Sequence, residues 1–104
     1  MFKFSKEDKF ENLPEKIRDY LPTFFENRLE DLSDLEYSIE KKDFRGVRDY
    51  CHKQVGVATC YNCFKLHEIV LYIQEQAKLE NHANLLEVQP ILRDYLTQLI
   101  RKSK

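Results

Sequence analysis

Glycine and proline are scarce in this chain, two and three among 104 residues, and that scarcity argues against a sheet protein, because strands need turn residues at short intervals. Neither sign of charge predominates. Lys and Arg number 17 against 18 Asp and Glu, a net charge of −1, so no basic field points to nucleic acid or a membrane surface, and the expected partner is another protein. No segment approaches the ~18 apolar residues of a membrane span, and the start, Met1-Phe2-Lys3-Phe4-Ser5-Lys6-Glu7, lacks the apolar run of a signal peptide. A cytoplasmic location is expected. Cysteine is sparse and odd in number, three in all, which fits reduced thiols better than a disulfide framework.

What is abundant is Leu, Glu, Lys, Asp and Arg. At 42% hydrophobic and 34% charged, a chain of this length supports one core and one all-α domain. Residues 1–20 are expected to form an extension: Phe2, Phe4 and Phe10 in a loose lid over one end, then a short helix from Pro14 to Tyr20. Leu21-Pro22 predicts a bend, since a residue before proline is pushed out of the helical region. From Pro22 to Lys42, Phe25, Leu32, Leu35 and Ile39 follow a three-four spacing, with Leu21 at the entry, Leu29 widening the stripe and Arg28 interrupting it. Asp43 has the chemistry of an N-cap for the next helix. Asn62, the non-glycine residue most tolerant of a left-handed backbone, predicts the following break. Leu66, Ile69, Val70, Ile73 and Ala77 mark a helix to about Leu79, and Asn81 ends or caps that turn. A last helix runs from about His82 to Arg101, with Leu85, Val88, Leu92, Tyr95, Leu96 and Leu99 facing in and Pro90 kinking it. Four long helices with short connections over residues 21–101 predict an antiparallel up-down four-helix bundle.

The second helix carries the most informative stretch, Cys51-His52-Lys53-Gln54-Val55-Gly56. A glycine inside a helix costs about 1 kcal/mol relative to alanine, and at i+4 it leaves the space beside His52 empty of side chain. At about 100° per residue, Arg45, Arg48, Asp49, Gly56 and Thr59 share a polar face with His52, whereas Phe44, Val47, Cys51, Gln54 and Ala58 fall on the core side. A lone helical histidine is ordinarily a capping, pairing or plain surface residue. The glycine one turn on and the flanking arginines set this one apart. An imidazole free in water is mostly neutral at pH 7 and able to attack phosphorus, and cations beside it would steady the phosphoryl group that results.

Cys60-Tyr61-Asn62-Cys63 with His67 four residues beyond is the one pattern suggesting metal. Cys51, the remaining candidate ligand, lies nine residues before Cys60, about 13 Å along one helix. That is too far to share an ion, so no metal site is expected, and Cys51 and one of Cys60 and Cys63 read as small core residues. His67 and His82 read as surface or helix-end residues.

The run from Leu21 to Leu99 resembles a histidine phosphotransfer (HPt) domain, the small helical phosphocarrier of two-component phosphorelays. Phe25 to Ile39 resembles the family's first long helix and Lys42-Asp43-Phe44 its turn into the histidine helix. Cys51 to Gly56 resembles its motif of a small residue, histidine, any residue, an aliphatic, lysine and glycine, and Tyr61-Asn62-Cys63-Phe64 matches the next break, with Asn62 where the family usually has glycine. Gln54 stands at the aliphatic position and Val55 at the lysine. The resemblance implies a cytoplasmic signal-transduction phosphoprotein whose His52 accepts a phosphoryl group from a receiver-domain aspartate and passes it on. Arg48, Lys53, Val55, Gly56 and Thr59 would form the docking patch, and Arg48, Arg45 or Lys53 would substitute for the lysine. Partners would be receiver domains of response regulators or hybrid histidine kinases, met by a monomer. The Mg2+ would reside on the receiver, so this chain needs no cofactor and has no independent catalytic activity. Consistent with that, no acid-base pair, nucleophile-base pair or phosphate-binding loop occurs. Val55 also leaves open a second reading, an HPt-like module that binds receivers or kinases without efficient transfer.

Overall fold

A computed structural model describes residues 2–103. Four helices, α1 (Glu15–Glu40), α2 (Phe44–Cys60), α3 (Phe64–Lys78) and α4 (His82–Ser103), follow a single 3-10 turn at Phe10–Asn12, and the described residues contain no strand. Helix α1 packs on α2 and α4, and α3 completes the ring between them. Because each connection is only three residues long, successive helices reverse direction, and the result is the expected up-down bundle.

All three connections use one device. Lys42, Asn62 and Glu80 adopt left-handed backbones with φ of 56°, 55° and 52°. The amide after each donates back into the preceding helix: Asp43 to the Ser38 carbonyl at 2.8 Å, Cys63 to Ala58 and Asn81 to Gln76, both at 2.9 Å. These six-to-one bonds satisfy carbonyls that a helix end would otherwise leave open. Neither glycine has a positive φ, so the position that usually takes glycine is filled here by side-chain-bearing residues, at about 1 kcal/mol or more for Lys42 and Glu80 and less for Asn62. The next helices start on side-chain caps. Asp43 Oδ1 accepts the Gly46 amide and Asn81 Oδ1 the Asn84 amide, both at 3.0 Å. Cys63 supplies no cap to α3; Asp8 does so from outside, accepting the Lys65 amide at 2.9 Å.

The structure corrects the reading of residues 1–21. Helix α1 does not end at Tyr20 and restart at Pro22 but runs through Leu21-Pro22 without interruption, so residues 15–20 belong to the bundle rather than to an extension. The local preference against helix before proline is outweighed by burial on both sides of it: Leu21, Phe24 and Phe25 are 7%, 2% and 3% exposed, and breaking the helix would withdraw three large side chains from the core. Helix α4 likewise continues through Pro90, whose ring is exposed.

Residues 2–9 are also not a lid on one end. They form an extended strap laid antiparallel along α3 toward its first turn. Phe2 meets Tyr72 at a ring separation of 4.9 Å and Phe4 meets Tyr95 at 5.4 Å. The Ser5 and Lys6 amides donate to Glu68 at 2.8 and 3.1 Å, and the Ser5 hydroxyl donates to it as well. Tyr95 donates to Asp8 at 2.9 Å, and Lys9 and Asn62 exchange a backbone and a side-chain bond. Phe2 and Phe4 had no helical period because they line an extended chain, whereas Phe10 opens the 3-10 turn and packs on Phe25.

The core is one cluster built from the predicted stripes, with Leu32, Leu35, Ile39, Val47, Cys51, Ala58, Ile69, Ile73, Leu85 and Leu92 at 0% exposure. His82 opens α4, and its Nε2 lies 2.9 Å from the Ile39 carbonyl at the end of α1, so it is a helix-end residue that ties two helices together. Among the described residues no helix is long and apolar enough to cross a membrane.

Candidate functional site

Helix α2 divides its residues as the 100° rule demands. Val47, Cys51, Gln54 and Ala58 are fully buried and Phe44 half-buried, whereas Arg45, Arg48, Asp49, His52, Gly56 and Thr59 are exposed. Tyr50, 8% exposed, joins the buried side although the spacing alone did not place it there. Its ring carries the apolar surface inward, while burial pushes its hydroxyl above the ordinary phenol range. Burial also raises the Cys51 thiol to about 12, so the residue beside His52 is a packing group and not a nucleophile.

The two glycines of α2 have opposite surroundings. A Cβ at Gly46 would stand 2.7 Å from both Asp43 Oδ2 and Ser38 Oγ, so glycine there lets the Asp43 cap fold down onto the helix. At Gly56 a Cβ would meet nothing within 4 Å. The fold places no demand on Gly56, yet its cost to helix stability falls inside a continuous 17-residue helix, four residues before its end. Thr59, one turn later, turns its hydroxyl back to donate to the Gly56 carbonyl at 3.1 Å. The resulting face is open: His52 makes no hydrogen bond or ion pair with any described residue, and neither do Arg45 and Arg48. Val55, placed in the same patch, is half-buried and packs partly on the core, so it offers an edge to the surface rather than a whole side chain.

On the α1 side the surface is polar and crowded. Asp31 receives three groups on one oxygen: Arg28 Nη2 at 3.2 Å, Gln54 Nε2 at 3.2 Å and Lys53 Nζ at 3.6 Å. This is how Gln54, fully buried at a position that favours an aliphatic side chain, is accommodated. Its amide nitrogen is satisfied while its Oε1 finds no donor among the described protein groups. Arg28 completes the node by lying over the Phe24 ring, 5.0 Å from its centre, and Phe24 in turn stacks on Tyr61 at 4.1 Å. Sequence reasoning noticed Arg28 only as an interruption of the seam. The signal that would have found the node was the Arg28-Asp31 spacing of one helical turn, read together with a polar residue at a core position of α2. Next to the node is a groove of about 220 Å³ whose lining includes Asp31, Asp34, Asp49, Tyr50 and Lys53.

The Cys60–Cys63 pair does not converge on an ion. Cys60 is exposed and Cys63 fully buried, with the Cys63 thiol raised by burial and donating to the Tyr61 carbonyl at 3.7 Å. Among the described residues no three His, Cys, Asp or Glu side chains are grouped to hold a metal. Comparison of the chain with protein-family models, curated proteins and solved structures finds no match.

Proposed function

We propose that the chain is a histidine phosphotransfer protein: His52 accepts a phosphoryl group from the aspartyl phosphate of a receiver domain and passes it to another carrier. The observation that carries this reading is Gly56, a helix-weakening residue with open space where its side chain would be, one turn beyond an exposed, unpartnered histidine. No packing inside the chain accounts for it, whereas the approach of a second protein toward His52 does.

The chemistry asks little of the carrier. The imidazole lone pair forms the N–P bond while the P–O bond to the aspartate breaks, the carboxylate leaves with that electron pair, and the proton on the other ring nitrogen is released to water. In-line displacement needs positioning and charge stabilisation. The receiver, with its Mg2+, would supply most of the latter, and Arg48, Lys53, Val55, Gly56 and Thr59 would form the docking patch. This role needs no cofactor in the carrier, no catalytic activity of its own and no partner of its own kind, so it fits a cytoplasmic monomer.

A second reading, a receiver- or kinase-binding module that accepts no phosphate, is favoured by Val55, which puts an apolar edge where a cation would serve a phosphoryl group. Incubation with a phosphorylated receiver separates the two. Acid-labile, base-stable phosphate on His52, lost in His52→Gln, is expected for the carrier. Binding retained in both proteins with no label in either would establish the module and refute transfer.

A further inference from the structure

We infer that Arg48 is the cation that meets the phosphoryl group on His52, and that Asp31 on α1 is a positioning residue that holds Lys53 away from it. The inference rests on the phosphotransfer reading and concerns what the chain itself contributes to that site.

Three cations lie near His52 in sequence, and they differ in what else holds them. Lys53 is adjacent, but adjacent side chains on a helix diverge by about 100°, and its ammonium is 3.6 Å from Asp31 on the neighbouring helix. Asp31 is well placed to keep it there, because the same carboxylate also accepts from Arg28 and from the buried Gln54 and is therefore anchored on both helices. Arg45 is two turns before His52, about 10 Å along the axis. Arg48 is one turn before it, exposed, with no ion-pair partner among the described residues. Helical side chains lean toward the N-terminus of their helix, so the His52 ring leans over the turn that carries Arg48, while Gly56 leaves the opposite flank open for the incoming protein.

The field on the α1 side points the same way. The groove there gathers Asp31, Asp34 and Asp49 against the ammonium of Lys53 and the Arg28 guanidinium paired to Asp31, so carboxylates still outnumber cations. A phosphoryl group, close to a dianion at neutral pH, is repelled from that side and drawn toward Arg48, whose guanidinium matches phosphate oxygens in a fork.

Inorganic phosphoramidate tests this without a receiver. Its P–N bond breaks, ammonia leaves, and the phosphoryl group forms a new N–P bond to an exposed imidazole. Phosphohistidine lifetime at neutral pH is then followed by 31P NMR, with mass spectrometry locating the label. Arg48→Gln is expected to shorten the lifetime by about threefold, the scale of one exposed charge-assisted contact, and Lys53→Gln, which removes an ammonium turned to Asp31, to shorten it less. Asp31→Asn keeps an acceptor for Gln54 but frees Lys53. Asp31→Asn with Arg48→Gln should therefore recover part of the lost lifetime, and adding Lys53→Gln should abolish the recovery. A purely structural role for Asp31 predicts no such rescue. Equal shortening by Lys53→Gln and Arg48→Gln, or a double variant no longer-lived than Arg48→Gln, overturns the inference and leaves phosphotransfer standing. Should Asp31→Asn fail to fold by circular dichroism, the contrast between the two exposed single variants decides the assignment of Arg48. Absence of label on His52 in the folded wild type overturns the phosphotransfer reading and this inference with it.

Discussion

Gly46→Ala and Gly56→Ala are the same chemical change in the same helix, and the structure assigns them opposite signs. At Gly56 the backbone is helical, φ is not positive, and the added methyl meets nothing within 4 Å. Alanine removes the glycine penalty of about 1 kcal/mol in the helix interior, part of it by restricting the unfolded chain, so Gly56→Ala should stabilise the protein by about that amount. For a domain of this size that raises the melting temperature by roughly 4–8 °C. At Gly46 the methyl would stand 2.7 Å from Asp43 Oδ2, displacing the carboxylate that accepts the Gly46 amide. Loss of such a cap costs about 1 kcal/mol, and the propensity gain is small in the first turn, so a net destabilisation is expected. Urea titrations of the three proteins, with m-values compared to confirm that only stability changes, measure both. A neutral or destabilising Gly56→Ala would refute the argument that the fold has no use for this glycine, and with it the observation on which the proposed function stands. The complementary variant is Gly56→Leu, which should remain as stable as wild type or more so while losing transfer from a phosphorylated receiver.

Three further outcomes follow from other parts of the structure. Partial desolvation tends to raise the Glu68 carboxyl, but hydrogen bonds from the Ser5 hydroxyl and the Ser5 and Lys6 amides outweigh it and leave Glu68 below its ordinary value of 4.5; a depressed folded value means this contribution is complete above that pH and is lost as pH falls through the folded value. Hydrogen-exchange protection of the Ser5 and Lys6 amides should therefore decline on acidification in the wild type and be low at every pH in Glu68→Ala. Lys42→Gly and Glu80→Gly should each raise stability, by somewhat less than the ~1 kcal/mol left-handed penalty because glycine also loosens the unfolded chain, as judged by denaturant midpoints. Of the three thiols, only Cys60 is exposed, and burial raises the other two, so a thiol reagent at pH 8 should label one cysteine rapidly and the other two only on unfolding.

The parts of the fold that were legible in the sequence are those decided by local rules. Asp43, Asn62 and Asn81 punctuate the chain where capping chemistry says they should, and the core face of α2 follows from period alone. What was hidden was decided by contacts distant in sequence. Pro22 carries a strong local instruction to break a helix, and only Leu21, Phe24 and Phe25 entering the same core overrule it. Lys42 and Glu80 have no preference for a left-handed backbone, so nothing announced that their turns would copy the one at Asn62. At the site, His52, Gly56 and the arginines were visible because they lie on one helix face. Asp31 was not, because its meaning comes from a second helix and from a buried glutamine 23 residues away.

The strap separates the molecule kinetically as well as spatially. Each helical hairpin closes through a three-residue connector, so neighbouring helices can pair with little loop entropy, and contacts of that kind form fast. The bonds that seat residues 5–9 instead join groups 53 to 87 positions apart. They attach a segment with no helix of its own. The bundle should thus be assembled before the strap docks, and the strap should open in exchange events that leave the bundle closed. Since Asp8 provides the side-chain cap that α3 does not provide for itself, each such opening would also loosen the first turn of that helix.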